Sequence, residues 1–438
     1  MQRKRSLLWF LIGLGSEMQI VASLSFTEMF CLIAGPIWLF SDIEVLRRNG
    51  VGVFLNIAFF LVIGCIAASL WNHTPFSFMY RGLATCVLIF CSTIVVHRLL
   101  NSDPQGFKWY IVGAAISMIL CIFIFQKSVE VSIQGNTADE IMSGPLFWIQ
   151  RLGAILMIPT RGWYLHTSFT YAIFSVLFMA GFSMMTTESG RSAALSSLGA
   201  AAMLIIGRKK VSLMRNISKR FWTLVIIAIV SLSVINVAYR LSATSGFLGE
   251  KAQTKYEHQT RGGTSVGRLL LGGRMEAFVG LLAAWDSPIF GKGPWPRDTE
   301  DYTGEFLRKY GIPEDYEEYE KALAYVLSTG RTYRWLPCHS HITMFWVWFG
   351  LPGLIFWIYV LFCIYRYIRE DVWVVPQWYG WISIAIPGML WHIFFSPFHA
   401  RFGTSLFVVA MLMSRAYRLG KANMPTSMLD EIYKQERK

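Results

Sequence analysis

Apolar stretches of about twenty residues alternate with short polar connections along nearly the whole chain. A helix needs about twenty residues to cross the hydrocarbon core of a bilayer, so continuous stretches of this length are typical of transmembrane helices. Helices also satisfy their own backbone hydrogen bonds, as lipid requires. The pattern predicts an all-α integral membrane protein with about twelve transmembrane helices, at residues 7–24, 26–41, 51–71, 78–99, 109–125, 146–160, 166–186, 191–206, 221–239, 341–365, 374–394 and 402–419.

Composition agrees with this prediction and indicates the orientation of the chain. The sequence is 54% hydrophobic and only 15% charged, with a mean hydropathy of +0.44, whereas soluble domains carry about 25% charged residues. Short basic connections mark the cytoplasmic side of a membrane protein. The charge pattern therefore indicates a multi-pass topology with both termini in the cytoplasm, and it argues against nucleic-acid binding. The net charge of +13 is concentrated in the tail and in short connections at 3–5, 47–48, 208–220 and 366–369.

One polar segment is too long for a simple connection between helices. It carries equal numbers of acidic and basic residues, and two of its stretches, 274–284 and 313–325, have helical patterns. Counting crossings from a cytoplasmic N-terminus places this segment on the exterior, where we expect a partly helical cap. The predicted organisation is N-terminal transmembrane helices (1–160), central transmembrane helices (161–239), the cap (240–340), C-terminal transmembrane helices (341–420) and a cytoplasmic tail (421–438).

The seven cysteines show neither a disulfide framework nor the spacing of a zinc site. Six of them lie within apolar stretches, and only Cys338 has a predicted exterior position. The N-terminus is basic and then apolar, but it lacks a small-residue cleavage site. We therefore interpret it as the first transmembrane helix and not as a removable signal peptide.

The predicted topology brings three ionisable residues, far apart in sequence, to one exterior face. Arg191 opens the eighth predicted helix, Arg274 lies in the cap, and His339 opens the tenth predicted helix. Two guanidinium groups suit an anion such as a diphosphate, because each can bind phosphate oxygens through two parallel hydrogen bonds. A histidine beside them can take a proton from a hydroxyl near neutral pH. His341 is the alternative to His339 as the reactive histidine.

Structural roles are the competing interpretation of the same residues. An arginine at the membrane interface commonly lays its aliphatic part along apolar surface and keeps its charge in water. A histidine at the start of a helix is more often a hydrogen-bonded cap than a catalyst. The residue types and their spacing leave both interpretations open.

Three motifs surround these residues. The first is Ser189–Ala193 around Arg191. The second is Gly273–Gly293, in which Arg274 is followed by an aromatic residue and which ends in Pro-x-x-Gly-x-Gly. The third is His339–Gly353, which reads histidine, serine, nine residues, glycine, two residues and glycine. In residues and order these motifs resemble those of the O-antigen ligase family, and the resemblance covers about residues 165–420. Many members of that family have asparagine where this chain has Ser340.

The resemblance implies a bacterial inner-membrane glycosyltransferase whose donor is a glycan linked to undecaprenyl diphosphate. Its acceptor is lipid A-core in an O-antigen ligase, as in lipopolysaccharide biosynthesis, and a lipid-linked repeat unit in an O-antigen or exopolysaccharide polymerase. The motifs shared by the two do not encode the acceptor. The resemblance further implies an active site on the periplasmic face, among membrane lipids, with no metal, cofactor or nucleotide sugar.

The resemblance also assigns roles to individual residues. Arg191 and Arg274 are expected to bind the diphosphate and to stabilise charge on it, and His339 is expected to act on the acceptor hydroxyl. These three are the predicted catalytic residues. Three more residues are expected to add substrate contacts: Arg261, Ser340 and His341.

A lipid-linked oligosaccharide flippase or polysaccharide transporter is the alternative function. Transporters typically contain repeated halves, helices broken at the midplane and buried charges. No internal repeat is evident in this chain, and its ionisable groups gather at one face. The support for transport is a set of charged residues near or within predicted helices: Glu17, Glu28, Arg81, Arg98 and Arg151.

Overall fold

The computed structural model describes residues 2–16, 18–21, 24–123, 237, 241–242, 244–246, 275–309, 336, 338–371, 376–396, 398 and 401–422. These residues are mostly helical, and their strands, β1 (Gln19–Val21) and β2 (Leu24–Ser25), form a short antiparallel hairpin. The described helices are α1 (Gln2–Gly15), α2 (Phe26–Arg48), α3 (Val51–Trp71), α4 (Phe76–Ser102), α5 (Phe107–Phe123), α6 (Met275–Asp286), α7 (Tyr302–Lys309), α8 (His341–Phe349), α9 (Leu351–Arg366), α10 (Pro376–Phe395) and α11 (Arg401–Ala422).

Within these residues, several helices are long and apolar enough to cross a membrane, as an all-α membrane protein requires. Three of them correspond to the predicted spans at 26–41, 51–71 and 78–99. The predicted spans between 146 and 206, and nearly all of 221–239, lie outside the described residues, so the total of about twelve stays a prediction. The four candidate spans are Phe26–Arg47, Val51–Trp71, Phe76–Ser102 and Leu351–Glu370.

The first predicted span, 7–24, differs from the structure. Helix α1 ends at Gly15, and the β1–β2 hairpin separates it from α2. Ser25 begins α2 with a capping box, in which its hydroxyl accepts the N–H of Glu28 and the Glu28 carboxylate accepts the N–H of Ser25. These reciprocal bonds satisfy donors at a helix start. A new helix therefore begins at residue 26, and α1, with 14 residues, is shorter than a full span.

The predicted span 341–365 is divided into two helices, and the prediction of one continuous helix is wrong. Helices α8 and α9 meet at Gly350, whose backbone (φ 65°, ψ −143°) lies in a region that is nearly restricted to glycine. The apolar stretch runs on unbroken while the backbone changes direction. The candidate span begins at Leu351, so His341 opens a separate helix of nine residues.

Helix α4 lies at the centre of the described bundle, packed against α2, α3 and α11. Ser405 of α11 donates a hydrogen bond to the backbone oxygen of Ile89 at 3.0 Å. Gly35 of α2 approaches α4 so closely that an added Cβ would lie 2.8 Å from Cys91. Small residues let membrane helices approach in this way. Helices α8 and α9 pack on α3, so the C-terminal helices join the same bundle as the N-terminal ones.

Contacts between helix ends define two ends of this bundle. The basic end is defined by three contacts: Arg5 with Ser102, Arg98 with Asp42, and Arg418 with Glu370. The cap end is defined by three others: Arg401 with Glu28, Asn72 with Gly291, and Ser340 with Ile393. The predicted topology places all residues of the basic-end contacts on the cytoplasmic side and all residues of the cap-end contacts on the exterior. Each contact therefore joins residues predicted to lie on one side, while the identity of each side stays a prediction.

Candidate functional site

His339 lies at the cap end, just before α8, and contacts the first turn of α6. Its Nδ1 is 3.4 Å from Oε1 of Glu276. Both side chains are partly accessible, at 22% and 28% exposure. A carboxylate beside one imidazole nitrogen orients the ring and leaves the other nitrogen to face a substrate. The pair can therefore present His339 to a substrate in a defined orientation and accept a proton from it.

The Ser340 side chain has a different environment from that of His339, because it is buried and its hydroxyl is hydrogen-bonded within the protein. Its hydroxyl oxygen accepts the N–H of Thr343 at 3.2 Å, which caps α8, and its hydroxyl donates to the backbone oxygen of Ile393 at 2.9 Å. These bonds join the start of α8 to the end of α10. The residue predicted to contact substrate here positions the start of α8, and His339 with it.

His341 is buried in an aromatic cluster that we define by Trp357, His392 and Phe398. Its ring centroid lies 4.9 Å from that of Trp357 and 5.1 Å from that of Phe398. The ring of His392 is nearly parallel to it, at 13° and 5.7 Å. The two histidines of the motif thus lie in different surroundings, with His339 accessible and His341 enclosed.

The two glycine motifs pack against each other, backbone on backbone, at a contact that we name the glycine junction (residues 288–292 with 347–351). The Leu351 N–H donates to the Ile289 oxygen at 3.0 Å, and the Lys292 N–H donates to the Val347 oxygen at 2.6 Å. Gly291 and Gly350 both have positive φ, and a Cβ on Gly350 would overlap the Ile289 carbonyl. Glycine is needed here both for backbone conformation and for close approach.

Side-chain hydrogen bonds reinforce the glycine junction from two directions. The Asn72 amide, at the end of α3, donates to the Gly291 oxygen at 3.1 Å, and the Trp346 indole donates to the Pro288 oxygen at 3.0 Å. The segment that follows α6 is therefore attached to α3, α8 and α9. This attachment places the first turn of α6, with Glu276, beside His339.

Lys292 extends this attachment toward α7. Its ammonium group lies 3.3 Å from the Asp286 carboxylate and 2.6 Å from that of Glu300, and its side chain is mostly buried. The Tyr302 hydroxyl donates to both carboxylates, at 2.6 Å for Asp286. These polar groups satisfy one another, so we interpret them as a structural link between the end of α6 and the start of α7.

The other predicted site residues, Arg191, Arg261 and Arg274, lie outside the described residues. Arg274 directly precedes Met275, the first residue of α6, in the sequence. The described part of the site consequently contains one of the three predicted catalytic residues, His339. Among the described residues, no three histidine, cysteine, aspartate or glutamate side chains are grouped so that they could hold a metal ion.

Two residues of this site were not predicted from the sequence. Glu276 is a lone carboxylate two residues after Arg274, within the quoted arginine motif, and this placement was the available signal. His392 lies at the end of a predicted transmembrane helix, where an ionisable side chain is unusual. Their partners lie 63 and 51 residues away along the chain, so only the packing of helices brings each pair together.

Cys338 is expected to be unreactive in the native protein, although it directly precedes His339. Its side chain is buried, and burial together with the nearby charge of Asp298 raises the pKa of the Cys338 thiol well above its usual range. Because the thiolate is the reactive form, a membrane-impermeant maleimide at neutral pH should leave Cys338 unmodified until the protein is denatured. Peptide mass spectrometry measures this modification.

The matched control for Cys338 is Glu305→Cys, at an exposed position of α7 in the same cap. It should be labelled readily under the same conditions, because its thiol meets water. Rapid labelling of Cys338 in the native protein would contradict the burial described above.

Comparison with known proteins assigns no family to the chain. No family model matches this chain, and no curated protein is significantly similar to it.

Proposed function

We propose that this chain is a membrane glycosyltransferase of the O-antigen ligase type, which transfers a glycan from undecaprenyl diphosphate to an acceptor hydroxyl at the cap end. The observation that carries the proposal is the contact of His339 with Glu276. It joins the histidine motif to the arginine motif, two segments that the sequence resemblance selects independently of any structure. The glycine junction joins the remaining parts of the same two motifs.

The proposed reaction needs a base for the acceptor and positive charge for the leaving group. The acceptor oxygen attacks the anomeric carbon and gives its proton to His339, while the bond from that carbon to the diphosphate oxygen breaks. Undecaprenyl diphosphate leaves with the bonding electrons, and Arg274 and Arg191 stabilise its charge. Direct attack of this kind inverts the anomeric configuration. Glu276 orients His339 in this scheme, a role for which its 3.4 Å contact is suited.

The residues of second rank have separate roles in this proposal. His341, enclosed by aromatic rings, stabilises the start of α8 instead of handling protons. Ser340 acts through its cap hydrogen bonds. Arg261 remains a proposed contact for the diphosphate or the glycan. We place the cap end on the periplasmic side of the bacterial inner membrane, because the basic end then faces the cytoplasm.

Ligase and polymerase remain two forms of the same proposal, since they differ only in the acceptor. Supplying lipid A-core as the sole acceptor tests the first form. Supplying only the lipid-linked donor, so that one donor molecule must serve as acceptor for another, tests the second. The product is a glycosylated lipid A-core in the first assay and a longer lipid-linked glycan in the second.

A flippase or transporter has one observation in its favour, the interruption of an apolar stretch at Gly350, because transporters contain broken helices. In transporters, however, the free backbone groups at such a break face the substrate. Here the Leu351 N–H and the Val347 oxygen are bonded to Ile289 and Lys292. The backbone groups at the break thus bind the cap segment and are not free for a substrate. This arrangement favours the glycosyltransferase over the transporter.

Transfer by the purified protein is the experiment that tests the proposal. Full-length protein in liposomes, without an ion gradient, should convert a labelled lipid-linked donor and an acceptor into product. Arg274→Ala should abolish this transfer while the protein still inserts, and Arg274→Lys should restore it in part, because lysine keeps the charge but loses the bidentate geometry. Chromatography of the labelled lipids measures the product.

The control for this experiment is Arg297→Ala, which removes an exposed arginine from the same cap. It should retain transfer, so that a loss in Arg274→Ala is not ascribed to lower cap charge alone. Movement of the donor across the bilayer without any transfer would contradict the proposal and support the transporter.

A further inference from the structure

A small cavity lies between α9 and α11 near the basic end, remote from the candidate active site. Two arginines line it, Arg366 on α9 and Arg415 on α11, and the rest of its lining includes Phe362, Met411 and Leu412. It thus combines two cationic groups with an apolar wall. The proposed transfer reaction assigns no role to any of these residues.

Arg415, which lines this cavity, carries an unsatisfied donor. Its Nη1 atom is buried, and no acceptor of the described part of the chain lies within hydrogen-bonding distance of that atom. A guanidinium group stays protonated in proteins and cannot discard its donors. Burying such a group without a partner is costly, so the cavity is suited to an anionic ligand.

Among the described side chains around the cavity, the paired carboxylate is already shared. Glu370 is contacted by Arg418 at 2.9 Å and by Arg366 at 3.8 Å. Two arginines thus share this glutamate, and Arg415 adds a further positive charge to the lining of the cavity. The Arg366 guanidinium also lies over the ring of Phe362, at 5.6 Å, which positions its charge beside the cavity.

The membrane is the source of an anion that fits this position. Phe362 lines the cavity and is also 48% exposed on the outer surface of a candidate span. The cavity therefore borders the surface that faces lipid, and its apolar lining suits an acyl chain. Pockets with basic residues between transmembrane helices are a known way to bind anionic lipid headgroups.

We propose that the α9–α11 cavity binds the phosphate of an anionic phospholipid, with Arg415 and Arg366 as its ligands and the acyl chain along Phe362. A net anionic lipid is favoured over a zwitterionic one, because an ammonium headgroup meets repulsion from Arg366 and Arg415. The proposal concerns a structural lipid at the basic end and is independent of the glycosyltransferase assignment.

Native mass spectrometry of the full-length protein tests this binding. After detergent exchange, added phosphatidylglycerol should be retained at least about tenfold better than phosphatidylcholine with the same chains, as expected for charge-assisted hydrogen bonds. Arg415→Gln should lower phosphatidylglycerol retention to the phosphatidylcholine level. Arg366→Gln, at a partly exposed helix end, provides a second variant with less risk to folding and should give a loss of the same kind.

The matched control is Arg369→Gln, an exposed arginine on the same turn whose guanidinium contacts the Tyr365 hydroxyl. It removes the same charge and should leave phosphatidylglycerol retention unchanged. An equal loss in this control would show that binding follows overall charge, and would overturn the site. Wild-type retention in both Arg415→Gln and Arg366→Gln would overturn it as well. Displacement of the lipid by millimolar inorganic phosphate would identify a free-anion site and overturn the lipid assignment.

Discussion

Replacing His339 by alanine is expected to slow glycan transfer by about 10²-fold or more, because the acceptor hydroxyl loses its general base. The loss should appear in kcat and leave the KM for the lipid-linked donor nearly unchanged, since the donor diphosphate is assigned to the arginines. His339 is partly exposed and its described ion-pair contact is with Glu276, so the variant should fold and insert. Steady-state kinetics in liposomes measure both constants.

His341→Phe is the matched control for the loss of His339. Phenylalanine keeps a ring against Trp357 and Phe398 but removes the imidazole nitrogens. Transfer should therefore continue near the wild-type rate. An inactive His341→Phe together with an active His339→Ala would exchange the roles of the two histidines. Full activity in both variants would show that histidine is not the base.

Glu276 offers an internal check on the same mechanism. Glu276→Gln keeps the shape of the side chain and removes the charge beside His339, so kcat should fall by a smaller factor than in His339→Ala. Combining the two substitutions should cause little further loss, because residues that act as one unit are not additive. An additive loss would mean that Glu276 acts on the substrate separately from His339.

Hydropathy predicted the bounds of the described helices well where these bounds depend only on the composition of the helix itself. The spans predicted at 51–71 and 78–99 coincide closely with α3 (Val51–Trp71) and α4 (Phe76–Ser102). Such helices satisfy all backbone groups internally and need only about twenty apolar residues. Local composition is therefore enough to predict them.

The break at Gly350 was not predicted, because its cause lies outside the stretch in which it occurs. Residues 341–365 are apolar throughout and fit one continuous helix by hydropathy. The Ile289 oxygen, from a segment about sixty residues earlier, binds the Leu351 N–H and occupies the space beside Gly350. The glycine, with proline at the second position of the following helix, was a signal that hydropathy does not read.

The candidate site was predictable only in part, because some of its contacts also depend on segments that are distant in sequence. The sequence indicated that His339 begins a helical stretch and that the arginine motif lies on its side of the membrane. It contained no information on the distance between α6 and α8, and the partner of His339 follows from that distance. The different surroundings of His339 and His341 likewise depend on His392 and Phe398, which are remote from both in sequence.

Gly350→Ala is expected to be the most damaging single substitution at the glycine junction. A residue with a side chain pays about 1–3 kcal/mol for this backbone conformation alone. The added Cβ would also overlap the Ile289 carbonyl and approach the Gly291 nitrogen to 2.7 Å. These obstacles are backbone atoms and cannot rotate away. The midpoint of thermal unfolding in detergent should therefore fall well below that of the wild type, and glycan transfer should be lost.

The control for Gly350→Ala is Gly420→Ala, near the end of α11, where an added Cβ meets nothing within 4 Å. Alanine is the better helix former by about 1 kcal/mol, so this variant should be as stable as the wild type or slightly more stable. If Gly350→Ala had the same unfolding midpoint and the same transfer rate as Gly420→Ala, the glycine junction would not be the contact that positions Glu276 beside His339. The first turn of α6 would then reach His339 by another route. A large loss of stability and transfer in Gly350→Ala alone would instead show that the glycine junction positions the active site. Gly291 and Gly350 would then support catalysis through the backbone geometry that they allow, without contacting substrate.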